Sequence, residues 1–123
     1  MFFDLEGVQD YVFPEKLEYL FGVYYEENGE KIFKPFWAHN KKEEKQSLIN
    51  FFAFTKAHFK KYPKAKIYHY ASYEIKALER LTSLHKVHGV DYDHYLNLGR
   101  FVDLFRVVTV SYTHLTLPTN REV

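Results

Sequence analysis

Hydrophobic and polar positions change period several times along the chain, and each change predicts an element. FFDLEG, Phe2–Gly7, alternates apolar and acidic side chains and stops at a glycine, the pattern of a short strand. GVQDYVFPEK then reads as a loop around Pro14. LEYLFGVYYEENGEKIFKPFWAHN holds two aromatic and aliphatic runs joined by Glu26-Glu27-Asn28-Gly29. Asn-Gly supplies the positive φ angles of a type I′ turn, so a hairpin over about Tyr19–Tyr25 and Lys31–Ala38 is expected. Asn40 with Glu43 has capping-box spacing ahead of KKEEKQSLINFFAFTKAHFKKY, where Leu48, Phe52 and Phe59 recur at helical spacing until Pro63. KAKIYHYA, Lys64–Ala71, reads as a buried strand. Ser72 is placed to cap a second helix through Ile75, Leu78, Leu81 and Leu84 to Gly89. A third helical turn is expected over Tyr92–Leu98 and a last strand over Arg100–Val108. The order is β, β-hairpin, α, β, α, β: an α/β mixed sheet with flanking helices.

Composition narrows the picture. With 123 residues, 46% hydrophobic and 27% charged, the chain has room for one core. A net charge of +1 puts no global field on the molecule, so any nucleic-acid or membrane surface must be a local patch. The lysines of the first helix read as a solvated face. The absence of cysteine excludes a disulfide framework and thiolate metal sites. No apolar run approaches the roughly 20 residues of a membrane helix, and no signal peptide is recognisable, so a soluble cytoplasmic protein with no membrane partner is the expectation. The aromatic share of 20% is high, and most of these rings are expected in the core.

The candidate chemistry begins with Asp4 and Glu6. Alternate positions of a strand share a face, so the two carboxylates present together while Phe3 and Leu5 point the other way. An ionised acid in an apolar strand is costly unless a cation offsets it. Hard Mg²⁺ or Mn²⁺ prefers oxygen ligands, and two ions about 3.5–4 Å apart can drive phosphodiester hydrolysis. Two carboxylates are too few for that. In HYASYE a strand runs into a helix and places Glu74 in the first helical turn, where it can face Asp4 and Glu6 if the two strands are neighbours. An acid at that position also simply favours the helix dipole.

These residues carry a resemblance. FFDLEG resembles the D-x-E motif of the DEDD superfamily of RNase H-like 3′–5′ exonucleases, and HYASYEIKAL resembles their second motif entering a helix. LEYLFGVYYEENGE, PFWAH, IYHYASYEIKALERL and FVDLFRVV together are similar to the predicted RNase H-like nuclease domain of proteins that also carry a RecB-type nuclease or a helicase. The resemblance covers about Phe2–Val108. It implies Asp4, Glu6 and Glu74 as catalytic metal ligands for Mg²⁺ or Mn²⁺, two ions in the intact domain, acting on DNA or RNA at single-stranded or frayed ends. Glu74 stands where the superfamily usually has Asp. The final motif, a Tyr or His with the last Asp, has no match, so the expectation is a domain truncated at the C-terminus and inactive by itself. Asp103 is expected to be structural, a strand-end hydrogen-bonding residue.

Val110–Thr119, VSYTHLTLPT, resembles a transposon-derived sequencing adaptor translated in one frame. The expected organisation is therefore an incomplete nuclease domain over residues 1–108 and a non-native tail over 109–123. Three other readings stay open. Glu74-Ile75-Lys76 is an E-x-K, the motif of restriction-type nucleases, which normally lies on a strand. A non-catalytic nucleic-acid-binding domain would grip backbone and bases with Lys66, Lys76, Arg80 and exposed tyrosines. A zinc site from His85, His88 and His94 is the third.

Overall fold

The computed structural model describes residues 1–9 and 16–107. The tail expectation and most of the Pro14 loop lie outside the described residues. The elements are β1 (Phe2–Val8), β2 (Leu17–Glu27), β3 (Glu30–Trp37), α1 (Lys41–Lys61), β4 (Ile67–His69), α2 (Tyr73–His85), α3 (Gly89–Asn97) and β5 (Phe101–Asp103). They form a five-stranded mixed sheet of order β3-β2-β1-β4-β5. β1–β2 and β2–β3 are antiparallel, whereas β1–β4 and β4–β5 are parallel. The element order and the mixed α/β architecture are those expected from the sequence.

Local chemistry sets each boundary. Asn28 and Gly29 take φ of 53° and 81°, the left-handed pair that a two-residue hairpin turn requires. Asn40 caps α1 by accepting from Glu43 N at 2.8 Å, and Glu43 Oε1 accepts from His39 N at 2.9 Å. α1 then carries Leu48, Phe51, Phe52 and Phe59 on its buried face. Phe51 lies 4.4 Å from Phe3, ring centre to ring centre, so β1 and α1 share one core with Leu5, Phe21, Val23 and Ile67. α2 adds Ala77, Leu78 and Leu81 to the same cluster, and α3 adds Tyr92 and Tyr95. The three helices therefore cover one face of the sheet. Within that aromatic core, Tyr95 Oη and Thr55 Oγ1 satisfy each other at 2.8 Å.

The opposite face is a different surface. Register aligns Val102, Tyr68, Phe2, Tyr24 and Phe33 across all five strands, with Asp4, Gly22 and Pro35 in the next row and Glu6, Leu20 and Trp37 in the one after. Tyr24, Phe33, Trp37 and Tyr68 are all exposed.

Three expectations need correction. The strand over Lys64–Ala71 is only Ile67–His69, because Ala71 adopts φ 66° and turns the chain out of the sheet. The last strand stops at Asp103 rather than Val108; Asp103 Oδ1 accepts from Phe105 N at 2.9 Å and starts a helical turn over 104–107. Ser72 precedes α2 in helical conformation and makes no side-chain cap, so the hydroxyl does not bond to the turn it was expected to hold.

Candidate active site

β1 is the central strand, and its alternation buries Phe3 and Leu5 under the helices while Asp4 and Glu6 occupy the helix-free face. Beside it, β4 pairs through Phe2 and Tyr68 and ends at His69, so β1 runs on past its parallel neighbour. The turn after β4 is held from two sides. Asp103 Oδ1 accepts from Ala71 N at 2.8 Å, and His69 Nδ1 lies 2.7 Å from Ala71 O. Asp103 thus has the hydrogen-bonding role expected of it. The turn delivers the start of α2 to the gap beyond β4, and Glu74 in its first turn is buried.

Glu74 is the unusual group. Burial pushes its carboxyl up from the ordinary Glu value to about 7. A hydrogen bond from its own amide pulls the other way, the charge of Asp4 pushes up again, the Leu5 amide pulls down, and Glu6 adds a smaller upward push. Among the described residues, Glu74 Oε1 is buried and finds no hydrogen-bond partner. The structure therefore brings Glu74 within electrostatic reach of both Asp4 and Glu6, across the gap at Leu5. Asp4 Oδ1 itself accepts from Leu5 N at 3.0 Å. The donor set is all hard oxygen, with one orphaned buried atom, which suits Mg²⁺ or Mn²⁺ in kind. The three side chains are not drawn together, however: among the described residues no three acidic or histidine side chains are grouped closely enough to hold a metal ion.

The expected nucleic-acid contacts lie on the next turns of α2. Lys76 is exposed. Arg80 is engaged inside the protein, its Nη2 donating to Glu18 Oε2 at 2.6 Å. Glu18 is wholly buried, and Tyr73 Oη donates to its Oε1 at 2.7 Å. Burial, followed by this bond, holds the Tyr73 hydroxyl well above the usual tyrosine range, so it remains a donor. A register shift between Glu6 and Gly7 sets Glu18 opposite Gly7. Sequence reasoning missed Glu18, although LEYLF contains the signal already used for FFDLEG, an acid within an apolar strand.

Two of the open readings lose their geometry. Glu74-Ile75-Lys76 lies on α2, not on a strand. His85 Nε2 lies 2.7 Å from Glu44 Oε1, and His88 Nδ1 lies 2.7 Å from Asp91 Oδ2, so two of the three zinc candidates serve separate carboxylates. Among the described residues no helix is long and apolar enough to cross a membrane.

An antiparallel hairpin feeding a parallel β1–β4–β5 set, helices on one face, and carboxylates where β1 outruns β4 define an α/β domain with acidic side chains on its central strand. A family model of the RNase H superfamily matches residues 1–120, nearly the whole chain, and the protein belongs to that superfamily. It is an RNase H-like domain, of a nuclease class that acts on nucleic acid. No curated protein and no solved structure matches it.

Proposed function

We propose that the domain is a metal-dependent nuclease that hydrolyses phosphodiester bonds at single-stranded or frayed ends, of the 3′–5′ exonuclease type, within a larger DNA repair or processing protein that carries further nuclease or helicase domains. One observation carries this reading: Glu74 has a buried carboxyl oxygen with no hydrogen-bond partner among the described residues, and its carboxyl feels the charges of Asp4 and Glu6 on the central strand. Like charges placed together in a partly dry site are unfavourable alone and favourable around a cation. Asp4, Glu6 and Glu74 would hold Mg²⁺ or Mn²⁺, which supplies Lewis-acid stabilisation of charge on the phosphate. Glu74 must release its proton for that, and the Leu5 amide on β1 favours the released form.

The test is degradation of an end-labelled single-stranded oligonucleotide by the larger protein, with Mg²⁺ or Mn²⁺ and with EDTA. Asp4→Asn is expected to remove most of the cleavage and little of the binding. Cleavage that survives Asp4→Asn or EDTA overturns the proposal. The open separation of the three carboxylates favours a second reading, a binding domain that has kept the fold; metal-dependent binding without cleavage is its signature.

We further propose that residues 109–123 are adaptor-derived. The family match extends into this stretch, to residue 120. The nucleotide record decides the matter: codons for Val110–Thr119 that do not spell the adaptor overturn the assignment.

A further inference from the structure

A cleft of about 460 Å³ lies against the first turns of α2, lined by Lys16, Ser72, Tyr73, Lys76 and Arg80 among others. Three of these side chains are cationic. The acid beneath them, Glu18, is wholly buried and already engaged by Tyr73 Oη at 2.7 Å and Arg80 Nη2 at 2.6 Å, with Lys16 Nζ 4.0 Å away. The charge that reaches solvent is therefore positive. Among the described residues Lys76 makes no ion pair, and Ser72 leaves its hydroxyl uncommitted at the head of α2.

The cleft's residues neighbour the acidic residues along the chain at two points: Tyr73, on its wall, immediately precedes Glu74, and Glu18, the acid that Tyr73 and Arg80 engage, pairs with Gly7, which immediately follows Glu6. Gly7 leaves room for the Glu18 side chain. A Cβ there would stand 2.5 Å from Glu18 Oε1 and 2.9 Å from Lys16 Cε, so any larger residue would displace the acid that organises the cations.

We infer that this cleft is a binding track for the phosphodiester backbone of a nucleic-acid strand, with Lys16 and Lys76 as the phosphate-contacting residues and Glu18 and Arg80 as the pair that positions its wall. The inference rests on the nuclease reading for its ligand and deepens it by naming residues that would hold the strand's backbone. Lysine contacts phosphate as a point charge and carries no base information. The Tyr73 ring, the aromatic group of the cleft, is covered by Lys16 Nζ at 4.2 Å from its centre and is closed to base stacking. The track is thus sequence-neutral.

The experiment is fluorescence anisotropy of a labelled single-stranded oligonucleotide with the chain in EDTA, across a salt series, for the wild type, Lys16→Gln/Lys76→Gln and a control, Lys60→Gln/Lys64→Gln, whose lysines are exposed away from the cleft. Removing two phosphate contacts should weaken binding about tenfold and flatten the plot of log affinity against log salt by about 1.4, since each single-strand contact contributes about 0.7. The control should change the slope by less than half as much. A cleft variant indistinguishable from wild type, equal losses in both variants, or no binding by the wild type overturns the track. The nuclease reading is judged separately: Asp4→Asn should abolish cleavage with binding intact, whatever the lysine variants do.

Discussion

At the scale of the residue, Glu74 sets the pH behaviour. Its folded carboxyl titrates near 7, whereas an unfolded Glu titrates in the ordinary range. The folded state holds the proton more tightly, so the favourable contribution is complete below about pH 4.5 and is lost as pH rises through about 7. In EDTA, unfolding free energy should fall between those values by up to about 3 kcal/mol. Glu74→Gln should remove that slope, and Mn²⁺ should reverse it in the wild type; denaturation midpoints at pH 5 and pH 8 measure both. Asp103 acts one step away. Asp103→Ala would orphan Ala71 N and Phe105 N and release a residue held at φ 66°, at a cost of about 1–3 kcal/mol. Asp103→Asn retains an acceptor and should recover most of it. The Glu74 titration, followed by carboxyl carbon NMR, should move in Asp103→Ala and return in Asp103→Asn. Asp4, Glu6 and Glu74 stood out as candidates because acids in apolar strands and first helical turns are local anomalies. Glu18 escaped because the meaning of its charge rests on Arg80, 62 positions away.

At the scale of the element, local rules worked where the signal was local. Asn40→Ala should cost about 1 kcal/mol by exposing the Glu43 amide, while Phe51→Ala, which empties the contact with Phe3 and Phe21, should cost about 3–5 kcal/mol. Chemical denaturation separates the two. The hairpin and α1 were readable from their turn, cap and period. The ends of β4 and β5 were not. Their apolar runs continue in sequence past the point where Ala71 and Asp103 leave the sheet, and those two residues bond to each other across 32 positions. A one-dimensional pattern carries no mark of that contact. Strand length near the site is thus fixed by a tertiary hydrogen bond, and the early end of β4 is what admits α2 to the centre of the sheet.

At the scale of the whole molecule, the architecture followed from element order, since parallel strands need helical crossovers and the hairpin must stay antiparallel. The asymmetry of the two faces did not follow. Period-two alternation showed that β1 had unlike sides, but aromatic residues on both sides of β2 and β3 gave no sign of which rings the helices would cover. Phe21 and Phe36 face the helices, whereas Tyr24, Phe33 and Trp37 stand in the open rows.

That open face gives the protein an optical probe. Trp37 is the only tryptophan in the chain and is about half exposed, at 54%. Its fluorescence should peak at the long wavelengths of an indole in water and be quenched readily by acrylamide. Anything that came to lie over the rows of Phe33 and Trp37, whether another segment, another copy or a partner, would shift the emission to the blue and shield it. A nucleic-acid strand confined to the cleft beside α2 would leave it unchanged. One emission spectrum can therefore distinguish occupation of the face from occupation of the cleft.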